Sequence, residues 1–295
     1  MRYTAASVNQ ETDMPSTQDF ALELKQSLSE RFGAAPDVEA GLPGLEALAR
    51  IAAHRSHRKF APRAVEPALL RLLLACAFSA PSKSDLQQAD VVQVADRGKV
   101  KAIAGLIPDM PWIAEAPVFL MFCGDNRRMR QLFEWRGRPF VNEHLDHFMN
   151  AAVDAALVMM TFIHAAEAAG LGACPISAVR NRPHEVSRLL ELPAGVFPIA
   201  GLCAGYPAES GRITPRLPLE ATVHVDRFED SGLRGRIDAY DRRREGLLPY
   251  RRQRQVERFG KSEHYGWSED KARQYADPER EDFGEYIRSQ GFSLR

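Results

Sequence analysis

The first regular pattern along the chain places Phe20, Leu22, Leu24, Leu28 and Phe32 on an imperfect helical stripe behind a Ser16/Thr17 cap. Leu45, Leu48, Ala49 and Ala52 recur at the same spacing, and Leu69, Leu70, Leu73, Leu74 and Ala77 predict a helix from about Glu66 to Phe78 that stops before Ala80-Pro81-Ser82. Val91, Val92 and Val94 predict a strand, Lys99 to Leu106 a helix, and Pro117 to Cys123 a strand buried on both faces, because its run PVFLMFC offers water no polar side. From about Glu143 to Gly170 the apolar positions Leu145, Phe148, Met149, Ala152, Ala156, Met159, Met160, Ile163 and Ala166 spread around most of a helix. A helix that is apolar all round is buried all round. A sheet covers one face, so the other is expected against a second helix, which another subunit could supply. Gly170 and Gly172 offer the left-handed C-cap. A short helix near Pro183 to Leu190 and a strand from Val196 to Gly205 follow, and from Leu217 the chain turns polar and Arg-rich. The order of elements predicts a mixed α+β fold, with no internal repeat.

Composition narrows the partners. With 39 Lys+Arg against 39 Asp+Glu the net charge is zero, which excludes nucleic acid as the main partner, since phosphate affinity comes largely from unbalanced cations. The most apolar stretch, Ala151 to Ala169, is interrupted by Asp154, His164 and Glu167, so no membrane span is expected. The first twenty residues lack the apolar core of a signal peptide, which predicts a cytoplasmic protein. Cys76, Cys123, Cys174 and Cys203 stand far apart in apolar surroundings and are expected as buried, reduced thiols. His144 and His147, with only Glu143 and Asp146 nearby, read as a solvated polar edge, and no metal site is expected.

The chemistry sits in four separated pieces. No GxGxxG follows a strand, and no P-loop, HExxH or GxSxG is present. His54-Arg55-Ser56-His57-Arg58 is a dense donor cluster that could hold a phosphate or form a surface charge patch. Pro81-Ser82-Lys83-Ser84-Asp85-Leu86-Gln87 is a polar loop leading into a strand. Pro175-Ile176-Ser177-Ala178 is expected on a turn whose backbone N–H groups could face a flat ligand, and Arg216 is pinned between Pro215 and Pro218 in the short run PRLP. Two opposed charge blocks close the chain: an excess of +5 from Arg242 to Arg258 (seven Arg, two Glu) and of −5 from Glu263 to Glu285 (eight acids, three bases). They read either as solvated faces that pair with each other or as a landing site for a phosphate-bearing ligand.

Taken in order, HRSHRKF (54–60), APSKSDLQ (80–87), PWIAEAPVFLMFCGD (111–125), GLGACPISAVRN (170–181), VFPIAGLCAGYPAE (196–209) and PRLP (215–218) resemble the nitroreductase family of flavin enzymes, nearest its NADPH-dependent, oxygen-insensitive major nitroreductase and flavin reductase branch. The resemblance implies a nitroreductase-like α+β fold, with a central mixed sheet flanked by helices, in an intertwined homodimer whose long apolar helix is central. It implies FMN bound without a covalent link at the subunit interface, NADPH or NADH as co-substrate, and a flat aromatic acceptor such as a nitroarene or quinone, reduced by ping-pong hydride transfer through flavin N5. Free FMN as the acceptor is the alternative, and a flavin-binding protein that is not a reductase is a second. By the same resemblance, His54, Arg55 and Ser56 meet the FMN phosphate and ribityl chain, and Arg58 stabilises charge at the pyrimidine end of the ring. Ser82, Lys83, Ser84 and Gln87 belong to the loop that edges the ring from the neighbouring subunit. Pro175, Ile176, Ser177 and Ala178 form the turn on the flavin, and Arg216 is a phosphate ligand. Arg251, Arg252 and Arg254 are candidates for the 2′-phosphate of NADPH. Asp85 stands where many members carry Asn, Ser177-Ala178 where they carry Gly-Gly or Glu-Gly, and Thr214 where the nearest branch carries Lys. The expected division is an N-terminal extension over 1–43, an FMN-binding core over 44–225 and a C-terminal extension over 226–295.

Overall fold

The computed structural model describes residues 16–295, and the polar tract over 1–15 lies outside the described residues. Eleven α-helices run through them: α1 (Thr17–Phe32), α2 (Leu45–Ala52), α3 (Pro67–Ala77), α4 (Arg97–Gly105), α5 (Arg127–Trp135), α6 (Leu145–Ala168), α7 (Pro183–Leu190), α8 (Leu233–Leu247), α9 (Val256–Phe259), α10 (Trp267–Gln274) and α11 (Phe283–Ser289). Four strands, β1 (Ala89–Gln93), β2 (Val118–Asp125), β3 (Gly172–Ile176) and β4 (Val196–Gly205), form one antiparallel sheet in the order β1-β2-β4-β3.

β2 is buried at every position, as its unbroken apolar run requires of an inner strand covered on both faces. Its side chains alternate. Val118, Leu120 and Phe122 join Leu202 and Ala204 of β4 against Leu70 and Leu73 of α3 and Ala155, Val158 and Phe162 of α6. Phe119, Met121 and Cys123 enter the opposite layer with Val100 and Ile103 of α4 and Val186 of α7. Gly124 has no side chain because a Cβ there would stand 2.5 Å from the Phe197 ring on β4.

β3 does not advertise itself in the sequence, since it is short and contains Pro175. Its place at the sheet edge resolves the conflict: an edge strand tolerates a residue that cannot donate to the ladder. α5 and the helices after α7 were equally silent, because they bury few side chains. α11 nevertheless closes onto the core, where Tyr286, Ile287 and Phe292 pack with Phe148, Ala151 and Phe197.

By contact, the chain groups into two compact units, one made of the residues up to Ala53 with Ile213–Arg236 and the other of His54–Arg212 with Ile237–Arg295. In the first, α1 starts at Ser16, which forms a capping box with Asp19, and ends at Gly33 in the left-handed region. It packs on α2 through Leu24, Leu45, Ala49 and Ala52. Buried Arg31 donates from Nη2 to the Ala52 carbonyl at 2.8 Å, and its own carbonyl accepts from Arg216 N at 2.7 Å. In the second unit, α6 touches all four strands and α3 with one face. Along the other face Leu145, Met149, Val153, Leu157 and Met160 form an exposed stripe, so burial all round is not reached within one chain. α6 is also the one helix among the described residues whose length and composition would suffice to cross a membrane, and its sheet-facing side carries the core just described.

The expectation of four buried thiols holds for Cys123, Cys174 and Cys203 and fails for Cys76, which is exposed. α3 buries Leu70, Leu73 and Ala77, and Cys76 falls off that stripe. Phe162 is fully buried, with its ring edge-to-face with Phe122 at 6.1 Å between centroids. Phe162→Ala should cost about 3–5 kcal/mol in urea unfolding at fixed protein concentration, with an unchanged slope. A loss under 1 kcal/mol would show that the helix–sheet seam repacks.

Candidate functional site

Segment 54–58 lies along the open side of β3. Ser56 bridges Ala173 in parallel, and His57 N donates to the Ala173 carbonyl at 3.0 Å. Beyond it, Phe60 pairs with Pro207 and Ala61 N donates to the Tyr206 carbonyl at 2.8 Å, so the segment continues past the end of β4. Two glycines permit the approach: a Cβ on Gly172 would meet the His57 ring at 2.6 Å, and one on Gly211 would meet Arg55 Cβ at 2.9 Å. This arrangement sets His54, Arg55, Ser56 and Arg58 beside the strand that ends in Pro175 and Ile176.

Each of these side chains has a distinct state. His54 Nδ1 lies 2.6 Å from Glu167 Oε1, which fixes the imidazole to the last turns of α6. Burial holds His57 below the usual histidine range, and the nearby Arg55 adds to that while Glu167 opposes it. Arg55 Nε is buried with no hydrogen-bond partner among the described residues. A guanidinium donor in that state suits an anionic oxygen, and the donors of Ser56 and Arg58 on the same run extend the set, so the residues present fit a phosphate-bearing group such as FMN. Arg58 is exposed and lies near enough to Cys174 to pull its thiol down, against a stronger upward push from burial.

The turn expected at Pro175-Ile176 is corrected by the structure. Both residues belong to β3, and a 3-10 turn starts only at Ser177 and runs to Asn181. Ile176 is 1% exposed, so its side chain fills the core and leaves only its backbone for a ligand, whereas Ser177 is exposed and Ala178 half-buried. The β4 ladder, which pairs Ile176 with Gly201, extends the strand further than the local sequence predicts.

The second polar loop is shaped by a residue the sequence reading noted only as an interruption. Asp154, in mid-α6 and 2% exposed, accepts from Ser82 Oγ at 2.7 Å, Lys83 N at 3.0 Å and Gln88 N at 3.1 Å. Ser82 Oγ in turn accepts from Gln87 N at 2.8 Å. Between these anchors Ser84, Asp85 and Gln87 take left-handed φ values of 50°, 57° and 52°. The signal that could have revealed this was a carboxylate in the middle of an otherwise apolar helix. Next to the loop, Arg128 donates to the Gln87 carbonyl and pairs with Asp90 at 2.5 Å and Asp125 at 3.2 Å. Phe78, Ser82, Gln87, Asp90, Arg128 and Val158 line a concavity of about 630 Å³ there.

The two polar pieces lie at opposite edges of the sheet. Loop 81–88 leads into β1 and segment 54–58 flanks β3, the two outer strands, separated by three strand spacings or roughly 14 Å. On α6 their anchors Asp154 and Glu167 stand about 20 Å apart at 1.5 Å per residue.

Arg216 belongs to the other unit, where it is exposed beside buried Pro215 and turns Nη1 toward the Thr214 carbonyl at 3.2 Å. At the C-terminal end the charge blocks pair in part: Arg254 Nε meets Asp270 Oδ1 at 3.1 Å and Arg258 meets Asp277 at 2.6 Å, while Arg251 and Arg252 stand exposed around a concavity with Tyr250 and Lys261.

Residues 51–206 match the profile of the Nitroreductase family, and residues 214–295 that of the Nitroreductase family, C-terminal domain. The chain therefore belongs to the nitroreductase family, and its helix-flanked antiparallel sheet is that family's fold. It is 35% identical over 252 residues to an FMN reductase [NAD(P)H] of Bacillus subtilis (84% of this chain, 98% of the relative) and 31% identical over 245 residues to an oxygen-insensitive NADPH nitroreductase of Salmonella typhimurium (82% and 96%). Among solved structures it resembles NfrA2 of B. megaterium, with a TM-score of 0.77 and 31% identity (85% of this chain, 99% of that one). The NADPH:FMN oxidoreductase of Vibrio harveyi complexed with NAD+ superposes with a TM-score of 0.75 at 26% identity (84% and 99%).

The carboxylate cluster beside loop 81–88 generates a pH prediction. Burial, then a hydrogen bond with Asp125, pushes the Asp90 carboxyl up to about 6, against the pull of Arg128. The folded chain thus holds a proton there that the unfolded chain has released, so Asp90 contributes stability that is full below about pH 4 and lost as pH rises through about 6. Asp90→Asn should flatten the fall in melting temperature between these limits. A melting curve series with the wild-type slope would remove Asp90 as its source.

Proposed function

We propose that this chain is an FMN-dependent NAD(P)H oxidoreductase that reduces nitroaromatics or quinones and works as a cytoplasmic homodimer with its sites at the subunit interface. The observation that carries the reading is the donor run at the β3 edge, where Arg55 Nε is buried with no hydrogen-bond partner among the described residues, beside Ser56 and Arg58. FMN bound there would supply the two-electron hydride chemistry, taking hydride from NAD(P)H and passing it to the acceptor. The chain's own part is to hold and orient. Arg55 and Ser56 bind the phosphate and ribityl end, and His54 is aligned by Glu167. Arg58 sets positive charge near the pyrimidine edge, and Ser177 and Ala178 present backbone to the ring. No side chain is required as a general acid or base. Arg216 is a further phosphate ligand in this proposal. Free FMN is the second acceptor class, because one relative at 35% identity carries the name FMN reductase.

In this proposal a second copy completes the site. Loop 81–88 and segment 54–58 flank opposite edges of the sheet in one chain, and the stripe Leu145, Met149, Val153, Leu157 and Met160 is exposed there. A two-fold pairing of α6 would cover that stripe and bring the loop of one copy toward the donor run of the other. Cys174 and Cys203, directly opposed across β3 and β4, remain free thiols, which suits the reducing cytoplasm.

Three measurements test the reading. Arg55→Ala with Ser56→Ala removes one charge-assisted and one neutral hydrogen bond, each worth roughly 1–3 kcal/mol, so FMN retention should fall at least ~tenfold; a fully yellow double variant after gel filtration would remove the donor run from the site. Arg216→Ala is scored separately in the same assay. Ala156→Glu, exposed in one chain and next to the apolar stripe, should give insoluble protein or apoprotein. A soluble, flavin-loaded monomer by light scattering would overturn the dimer. For the reductant, Arg251→Ala with Arg252→Ala should cost about ten- to a hundredfold in kcat/KM for NADPH and leave NADH unaffected. Equal use of both nucleotides by the wild type would end the assignment.

A further inference from the structure

We propose that Asp154 is a positioning residue: from the middle of α6 it holds loop 82–88 in the one conformation that turns Lys83, Ser84 and Gln87 outward toward the flavin edge, an inference that rests on the proposed function of that loop. A leucine would satisfy the packing of α6 at this position, and a carboxylate there must be desolvated. What the site demands is an acceptor with two oxygens and no donor. The loop offers three donors aimed at one point, Ser82 Oγ–H, Lys83 N–H and Gln88 N–H, and Asp154 takes one on Oδ1 and two on Oδ2. An amide has a single acceptor oxygen and would turn its NH2 group against one of those donors.

The arrangement reaches further than its three bonds. Ser82 Oγ spends its proton on Asp154 and its lone pair on Gln87 N, so a third amide is fixed through the hydroxyl. With the amides of Lys83, Gln87 and Gln88 turned inward, the side chains of Lys83, Ser84, Asp85 and Gln87 are left exposed and that of Leu86 half-buried. Three non-glycine residues in the left-handed region persist only where their surroundings over-determine them. Arg128 on the Gln87 carbonyl supplies a second tie, and Asp154 supplies the rest. The same helix carries Glu167, which aligns His54, so in one chain α6 anchors both the loop and the donor run.

The test compares wild type, Asp154→Asn and Ser82→Ala as apoprotein and with FMN. Amide exchange of residues 82–88 in the apoprotein should quicken at least ~tenfold in Asp154→Asn, with β2 and β4 unchanged, whereas Ser82→Ala should release the Gln87 amide and leave those of Lys83 and Gln88 slow. The FMN Kd, read by flavin fluorescence, should rise at least ~tenfold in Asp154→Asn. Unchanged exchange in the loop would overturn the proposal, as would faster exchange spread over β2 and β4, since that marks a residue that supports the whole fold. A loosened loop with wild-type FMN affinity would overturn the flavin-edge reading instead, and Ser84→Ala and Gln87→Ala with wild-type affinity would show the same failure independently. Where Asp154→Asn does not fold, the selective release of the Gln87 amide in Ser82→Ala decides, and its absence overturns the relay.

Discussion

Helix α6 lies against all four strands, and the burial of its one face orders most of what surrounds it. Ala155, Val158, Phe162, Ile163 and Ala166 meet Leu120, Phe122, Leu202 and Ala204 in a single apolar seam. Small and large residues alternate along it, so the helix settles close to the sheet and carries its polar side chains to fixed depths. At about 1.5–3 kcal/mol for each large apolar side chain buried, that seam far outweighs any single polar contact in the unit. It can therefore bear the cost of placing carboxylates and a histidine in the same helix.

Those polar residues all serve the neighbouring loops. Asp154 gathers the amides of loop 82–88, Glu167 holds His54, and His147 accepts from Gln88 Nε2 at 3.0 Å. Burial, with the nearby Arg130 adding to it, holds His147 below the usual histidine range. A chain with zero net charge thus uses its charges locally. The C-terminal blocks follow the same logic, since Asp270, nearly inaccessible, draws in Arg254 and Lys271 and accepts from Tyr265. Arg251 and Arg252 remain exposed beside them.

The sequence by itself determined the elements whose side-chain pattern is strong: β2 from an unbroken apolar run, β4 and α7 to the residue, and α6 within a few residues. It also determined the family, because six short motifs in fixed order carry information that does not depend on knowing the fold. Only the tertiary structure decided the rest. β3 is a strand because β4 offers it a ladder, although Pro175 argues locally against one. Cys76 is exposed although its neighbours are apolar, because α3 turns it away from Leu70, Leu73 and Ala77. α11 joins the core because Phe148 and Phe197 leave room for Tyr286 and Phe292. Asp154 looked like a break in a hydrophobic helix until the loop 66 residues earlier in the chain was seen to end on it. Patterns of period two and 3.6 are local and can be read in order along the chain. The meeting of a carboxylate with two amides and a hydroxyl is a long-range coincidence that only the folded chain creates.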